Sequence, residues 1–306
     1  MTKTIQGIVV KAHGTRYTVF ADDCHIPCQL RGKVKFKAEE STPVAVGDDV
    51  TISLLDDGEG VIEEVAPRRS VLSRPKVAVE GVEHVLAANM DSLIVVASIT
   101  KPALKTGLID RFIIAAEIGN LQPVIVLNKI DLGLSDEIEG IINAYRNLGY
   151  AVFATSAIDG FDNENDIEAF HDYLKEHRSI LAGHSGVGKS SILNCLYPDL
   201  NLKTGDISKL SERGRHTTSH IELFRLPDGG FVIDTPGIKV LGLWQMEKAE
   251  LAFYYREMES LLGKCKFSGC THIHEPGCAV KKALSDGKIA DFRYRNYLQI
   301  YDSLHT

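Results

Sequence analysis

Eight consecutive residues, Gly183-His184-Ser185-Gly186-Val187-Gly188-Lys189-Ser190, have the types and spacing that phosphate chemistry asks for, G-x-x-x-x-G-K-[ST]. Glycines let a backbone wrap its N–H groups round an anion, and a helix starting where the loop ends turns its positive end to the same point. In that arrangement Lys189 reaches the terminal phosphates and the Ser190 hydroxyl is a magnesium ligand. An apolar run at 179–182 precedes the loop, and Ser191 to Leu196 follows it with helical character. Strand, loop and helix together separate a phosphate loop from an ordinary glycine-rich turn. The expected ligand of residues 183–191 is a nucleoside triphosphate with Mg2+.

Three further short motifs carry chemistry, each at the end of an apolar run. Phe231-Val232-Ile233 leads into Asp234-Thr235-Pro236-Gly237. There Asp234 is placed to hold magnesium through water, and the Gly237 N–H to meet a γ-phosphate. The run at 123–127 ends in Asn128-Lys129-Ile130-Asp131, and that at 150–154 ends in Thr155-Ser156-Ala157. Each of these is weak alone, but as a pair beside a phosphate loop they resemble the guanine-recognition motifs of GTPases. A carboxylate such as Asp131 accepts from both N1–H and N2–H2 of guanine, and adenine offers no such donor pair. Unpaired buried groups cost about 1–3 kcal/mol each, which turns that mismatch into selectivity. Asn128 would hold the base edge and the neighbouring loop, the Lys129 stem would cover the base face, and Ser156 with Ala157 would complete the pocket through backbone N–H.

The elements that must position these motifs are legible from periodicity. Residues 92–99 are continuously apolar, as in a strand buried on both faces. Helical spacing at 108–118, 136–148 and 166–177 alternates with the runs at 123–127 and 150–154, which predicts a parallel α/β sheet with ligands at its carboxyl edge. Ahead of it, five strand-like runs between residues 4 and 65 are separated by Gly- and Asp-rich turns, the pattern of a small closed barrel of OB type. Lys33, Lys35 and Lys37 alternate with Val34 and Phe36, a face that suits either a nucleic-acid backbone or a protected edge strand. Residues 67–75, with two prolines and three arginines and no periodicity, are expected to be the linker. Cys24 and Cys28 flank His25 without a second ligand pair nearby, so they read as packed thiols rather than a metal site. The polar segment 211–219 suits a switch loop closing on magnesium through Thr217 or, preferably, Thr218.

The order of the motifs is unusual. The guanine motifs come first, at 128–131 and 155–157, then the phosphate loop at 183–190, then 234–237. Ordinary GTPases run the other way. A sheet whose usual termini are joined and reopened elsewhere gives this order, a circular permutation that compact domains tolerate. The arrangement resembles the circularly permuted GTPases and, among them, the small ribosomal subunit biogenesis GTPase family (RsgA, also called YjeQ), over essentially the whole chain. Near the C-terminus, Cys265-x4-Cys270-x-His272-x5-Cys278 supplies the donors of a closed structural zinc site. His274 is a rival fourth ligand, and the family pattern favours His272. Basic residues Lys264, Lys266, Lys281, Lys282, Lys288, Arg293 and Arg295 outnumber acidic ones by four between 260 and 300, in a chain whose net charge is −7. A basic zinc module suits RNA contact.

The expected organisation is therefore α/β: an OB-like barrel (1–66), a circularly permuted phosphate-loop GTPase domain (67–245) and a helical zinc module (246–306). The resemblance implies a cytoplasmic GTPase that binds the small ribosomal subunit and its rRNA late in assembly, hydrolyses GTP to GDP there and leaves. It would act as a monomer, with one structural Zn2+ per chain. No apolar run approaches the roughly 20 residues that span a bilayer. Ile238 follows Gly237, so the water-orienting glutamine of many GTPases is missing; His216 and Gln245 are the substitutes on offer. Slow intrinsic turnover, accelerated by the ribosomal subunit, is the corollary. Another phosphate-loop NTPase, or an RNA scaffold that only binds GTP, shares parts of this pattern.

Overall fold

Strands β1 (Thr4–His13), β2 (Arg16–Ala21), β3 (Cys24–Leu30), β4 (Asp49–Leu54) and β5 (Gly60–Val65) close on themselves at the N-terminal end. β1 pairs with both β2 and β4, β2 with β3, β3 with β5 in parallel, and β5 with β4, so the circuit has no free edge. Alternate residues Val9, Val19, Cys28, Val50, Ile52 and Ile62 fill the interior. These relationships come from a computed structural model that describes residues 3–31, 42–75, 83–161, 165–200, 221–234, 243 and 246–304. Lys33, Lys35 and Lys37 lie outside the described residues. Cys28 is a core thiol whose pKa burial pushes up to about 11, and Cys24 is exposed. Among the described residues they join no cluster of three or more possible metal ligands.

The stretch expected to be a plain linker contains structure. Residues of β6 (Val71–Pro75) pair antiparallel with β7 (Glu83–Ala88) as a separate hairpin. Its apolar content is small, but Leu72 is buried in the main core and the Val71 N–H donates to Gly119 O at 2.9 Å. The arginines that masked it in sequence are engaged. Arg68 makes a two-pronged pair with the fully buried Asp48, at 2.8 and 2.9 Å, and Arg69 reaches Asn89 O at 2.6 Å and Asp91. Asp48 also accepts the Ala45 N–H at 2.7 Å, while the Ala88 N–H donates to Val46 O. The turn before β4 is thereby locked to β7.

Beyond the hairpin the expected alternation appears: β8 (Ser92–Ser98), α1 (Thr106–Ile118), β9 (Gln122–Asn128), α2 (Asp136–Asn147), β10 (Ala151–Thr155), α3 (Ile167–Glu176), β11 (Arg178–Ala182), α4 (Lys189–Leu196), β12 (Glu222–Arg225) and β13 (Phe231–Asp234). The strands lie in the order β10-β9-β8-β11-β13-β12, all parallel except β12. β12, a four-residue strand with no counterpart in the sequence reading, also meets β1 at Lys11 opposite Glu222, which joins barrel and domain into one sheet. Successive side chains of the parallel strands go to opposite cores. Leu93, Val95, Ile125 and Leu127 face α1 and α2, whereas Ile94, Val96, Val124 and Val126 face α3 and α4.

The C-terminal part comprises a 3-10 segment (Lys248–Tyr254), α5 (Arg256–Glu259), α6 (Ala279–Ser285) and α7 (Asp291–Ser303). Its core shares α1 with the sheet: Ile109, Phe112 and Ile113 join the sheet core, and Ile114 joins Met258, Tyr297 and Ile300. Arg293, one of the basic residues assigned to a surface, is instead almost wholly buried between Asp110 of α1 and Glu257 of α5. Two carboxylates hold its guanidinium charged, with a pKa well above the ordinary value although burial opposes this. Among the described residues no helix is long and apolar enough to cross a membrane.

Removing one partner of a buried ion pair strands the other charge. Asp48→Ala is therefore expected to lower unfolding free energy by about 3 kcal/mol, measured as a reduced urea midpoint at unchanged slope.

Candidate nucleotide site and metal centre

Strand register brings the expected motifs to one edge. Leu181 stands opposite Asp234, Ala182 opposite Val95, Ser98 opposite Asn128, and Asn128 opposite Thr155. β11 ends level with Val95 and Ile125, three residues short of Asn128, and the loops after β9, β10 and β11 leave the sheet at the same carboxyl edge.

The phosphate-loop glycines are required by their surroundings. Gly183 (φ +143°) and Gly188 (φ +101°) occupy backbone conformations that L side chains rarely adopt. A Cβ on Gly183 would overlap the Val96 carbonyl, and one on Gly188 would overlap the Asn128 carboxamide. Gly188 caps α4 in the left-handed region, so Lys189 and Ser190 form its first turn and Ser191 follows. Val187 is buried in the core under the loop, while His184, Ser185 and Gly186 are exposed. The Lys189 ammonium donates to Gly183 O at 2.8 Å and His184 O at 3.2 Å, which folds it over the loop it serves.

Asn128 ties this loop to the base side. Its side chain is 1% exposed; Nδ2 donates to Val187 O at 3.0 Å, and Oδ1 accepts from Ala157 N–H at 3.3 Å and Thr155 Oγ1 at 3.4 Å. The Ala157 N–H expected to face the base is thus occupied by Asn128. Asp131 is exposed, with one carboxylate oxygen accepting from Ser156 Oγ at 3.0 Å. A carboxylate has about four acceptor sites, so an oriented pair of outside donors is still accommodated. Ser156 also accepts the Asp159 N–H at 3.1 Å, which fixes the loop carrying it.

Lys129, in the left-handed conformation, sends its ammonium to Gly186 O at 2.7 Å and to Lys101 O. The loop containing Lys101 and Pro102, which follows β8, was absent from the expected site. Its position at a carboxyl end of the sheet is the sequence signal that marks it. The Asp234 backbone lies beside the base of the phosphate loop. Thr217, Thr218, His216, Gly237, Ile238 and Gln245 lie outside the described residues.

The metal-ligating set is assembled as expected. Ligand atoms of Cys265, Cys270, His272 and Cys278 all lie within 4.8 Å of one another, a unique cluster of its kind among the described residues. Cys265 Sγ is 3.9 Å from Cys278 Sγ, and His272 Nδ1 is 3.5 and 3.4 Å from those two sulfurs. Zn–S bonds of about 2.3 Å and Zn–N bonds of about 2.1 Å set tetrahedral edges at about 3.6–3.8 Å, so the four residues fit a structural zinc ion. Burial lowers the His272 pKa and keeps the imidazole in its ligating neutral form. The exposed rival, His274, is not in the cluster. Ala279 N–H donates to Cys265 Sγ at 3.3 Å and Lys281 N–H to Cys278 Sγ at 3.5 Å, partners suited to thiolates. Glu275 clamps the knuckle by accepting from the Thr271 and Ile273 N–H groups and the Thr271 hydroxyl; those bonds, Thr271 N–H foremost, hold its carboxyl down to about 2.

Comparison with known proteins fits this geometry. The family described as RsgA GTPase matches residues 65–244, and the RsgA N-terminal domain matches residues 6–62. The chain belongs to the RsgA GTPase family. Relatives of this RsgA-family chain include the small ribosomal subunit biogenesis GTPase RsgA of Bacteroides fragilis, 38% identical over 97% of this chain and 96% of that one. The protein of the same name from Caldanaerobacter subterraneus is 39% identical over 97% and 94%. Among solved structures, YjeQ from Thermotoga maritima superposes with a TM-score of 0.78 at 36% identity, covering 99% of both chains. YloQ, a circularly permuted GTPase, gives 0.74 at 30% identity over 98% and 95%. This member of the family is a circularly permuted GTPase with an OB-like barrel and a C-terminal cluster compatible with zinc.

Zinc content is expected to follow the four ligands. Cys265→Ser should bring the bound zinc from one ion per chain to near none and lower the melting temperature, because metal-binding energy is folding energy in such a module. Metal analysis of the purified variant alongside a thermal melt measures both.

Proposed function

We propose that this chain hydrolyses GTP to GDP and phosphate while docked on the small ribosomal subunit, late in that particle's assembly. The observation that carries the reading is the Asn128 carboxamide, which holds the base-side loop and the phosphate loop together as one site. Curated relatives across nearly the whole length carry the name small ribosomal subunit biogenesis GTPase, which supports the partner.

In this reading Asp131 accepts from guanine while Ser156 holds its other oxygen, and Asn128, Lys129 and Ala157 shape the base pocket. Backbone N–H groups from His184 to Ser190 receive the phosphates, and Ser191 extends the first turn of the helix beneath them. The Lys189 ammonium exchanges its two loop carbonyls for phosphate oxygens. Ser190 and Asp234 would be the residues that hold a magnesium ion, which would supply charge neutralisation at the outer phosphates. Thr218 and Gly237 close on the γ-phosphate, and His216 orients the attacking water. A donor aimed at the charge that develops on the transferred phosphoryl group lowers the chemical barrier, whereas loop carbonyls alone would not.

In this reading the barrel comprises residues 1–66, the GTPase domain 67–245 and the zinc module 246–306. The barrel, joined to the domain at β12, and the zinc module, packed on α1, would both contact rRNA. On the module, Lys264, Lys266, Lys282, Lys288 and Arg295 are exposed, and Lys266 lies over the exposed Phe267 ring at 5.5 Å. Such cationic and aromatic groups suit phosphate contact and base stacking. The protein acts as a cytoplasmic monomer.

GTP turnover with and without purified small ribosomal subunits, in one buffer and salt, tests the reading. Turnover is expected to be slow alone and at least about tenfold faster with subunits, because a partner completes the catalytic site. A rate indifferent to subunits overturns it. Separately, Asp131→Asn is expected to shift preference from guanosine to xanthosine nucleotides in competition binding, since the exchanged amide reverses one donor–acceptor pair.

A further inference from the structure

We propose that Arg293 is a positioning residue for nucleotide binding, acting from the zinc module through the first turns of α1 and the loop of residues 99–105. The inference rests on the reading of residues 128–131 and 183–190 as a guanine-nucleotide site.

Arg293 is 1% exposed, paired with Asp110 and, through Nε at 2.7 Å and a second nitrogen at 3.1 Å, with Glu257. Docking two helices does not need a buried charge, because well-packed apolar side chains are generally as stabilising. What the ionic arrangement adds is fixed geometry. Asp110 is completely buried and receives Tyr145 OH at 2.7 Å and Asn296 Nδ2 at 2.6 Å in addition to Arg293. Its carboxylate is thus held from α2 and α7 together. Asn296 also touches the start of α1, where Thr106 Oγ1 donates to its Oδ1 at 3.4 Å and Gly107 leaves room beneath it.

The start of α1 has no side-chain cap of its own: Lys105, at the N-cap, makes no capping bond. Its position is set by α7. Immediately before it runs the loop that reaches the nucleotide motifs. Ser98 Oγ donates to Pro102 O at 2.8 Å, the Lys101 carbonyl accepts the Lys129 ammonium, and that same ammonium binds Gly186 O of the phosphate loop at 2.7 Å. Lys129 is therefore shared between a loop anchored by the zinc module and the loop that holds phosphate. When the anchor is removed, α1 can shift at its N-terminal end, Lys129 loses one of its two carbonyls, and nucleotide escapes faster.

The other end of α1 provides an internal control. Arg256 pairs there with Glu117 at 3.3 Å and lies over the Tyr150 ring at 3.9 Å. This contact joins the module to the same helix, about 10 Å further along it and away from the loop.

The test is release of a fluorescent GDP analogue from the full-length, zinc-loaded chain by stopped flow, with thermal melts of every variant. Arg293→Lys and the milder Asn296→Ala are expected to release at least about fivefold faster than the unaltered chain, with Arg256→Gln within about twofold of it despite a lowered melting temperature. A purely structural role would follow the melting temperature across all three variants. Unchanged release in Arg293→Lys and Asn296→Ala overturns the proposal, as does equal acceleration in Arg256→Gln. Should the unaltered chain itself fail to retain guanine nucleotide, the site reading falls and the proposal with it; retention by the unaltered chain and the variants alike removes the proposal alone.

Discussion

One buried carboxamide organises the candidate site. Asn128 has a donor and an acceptor to spend, and spends the donor on the phosphate loop and the acceptor on the loop after β10. At 1% exposure neither group has water as an alternative, so both bonds are made at the full cost of leaving them unmade. The position of Gly188 is a consequence, because a side chain there would occupy the place of the carboxamide. Base side and phosphate side are consequently held at a fixed separation before any ligand arrives, which spares a ligand the cost of ordering them.

The same constraint explains why the motif order along the chain is free to change. Parallel pairing sets Asn128 level with Thr155 and brings Ala182 and Asp234 to the same carboxyl edge a few residues short of them, and pairing depends on which strands are neighbours, not on which comes first. β11 lies between β8 and β13 with Ser92 and Ser179 hydroxyls bonded across the pairing, 87 residues apart in sequence.

Much of this was readable from the residues. Motifs with a mechanical requirement, such as the glycine–lysine–serine loop and the cysteine–histidine spacing, lie where they were expected. The barrel and the buried strands followed from alternation and apolar runs. The hairpin of β6 and β7 did not, because Arg68, Arg69 and Arg74 dominate a stretch in which few apolar residues advertise burial; Arg68 is satisfied by an aspartate 20 positions earlier. Arg293 was misread for a related reason. Its charge suggests a surface, and the carboxylates that allow it inside are 36 and 183 positions away. Partners that distant leave no local pattern. The loop of residues 99–105 likewise carries no motif, and only the sheet places it beside Lys129 and Gly186.

The central position of β11 also bears on how the chain comes to be folded. During synthesis β8, β9 and β10 emerge first and can pair as a three-stranded unit carrying the base-side residues, with one edge of β8 still open. The strand that fills this edge, together with its glycine loop, is made later, and β13 can add only after that. A pairing that spans so much sequence closes slowly. The nascent protein thus owns half a nucleotide pocket for some time before it owns the other half, and the exposed flank of β8 in that interval is where a chaperone, or an aberrant strand, would find purchase.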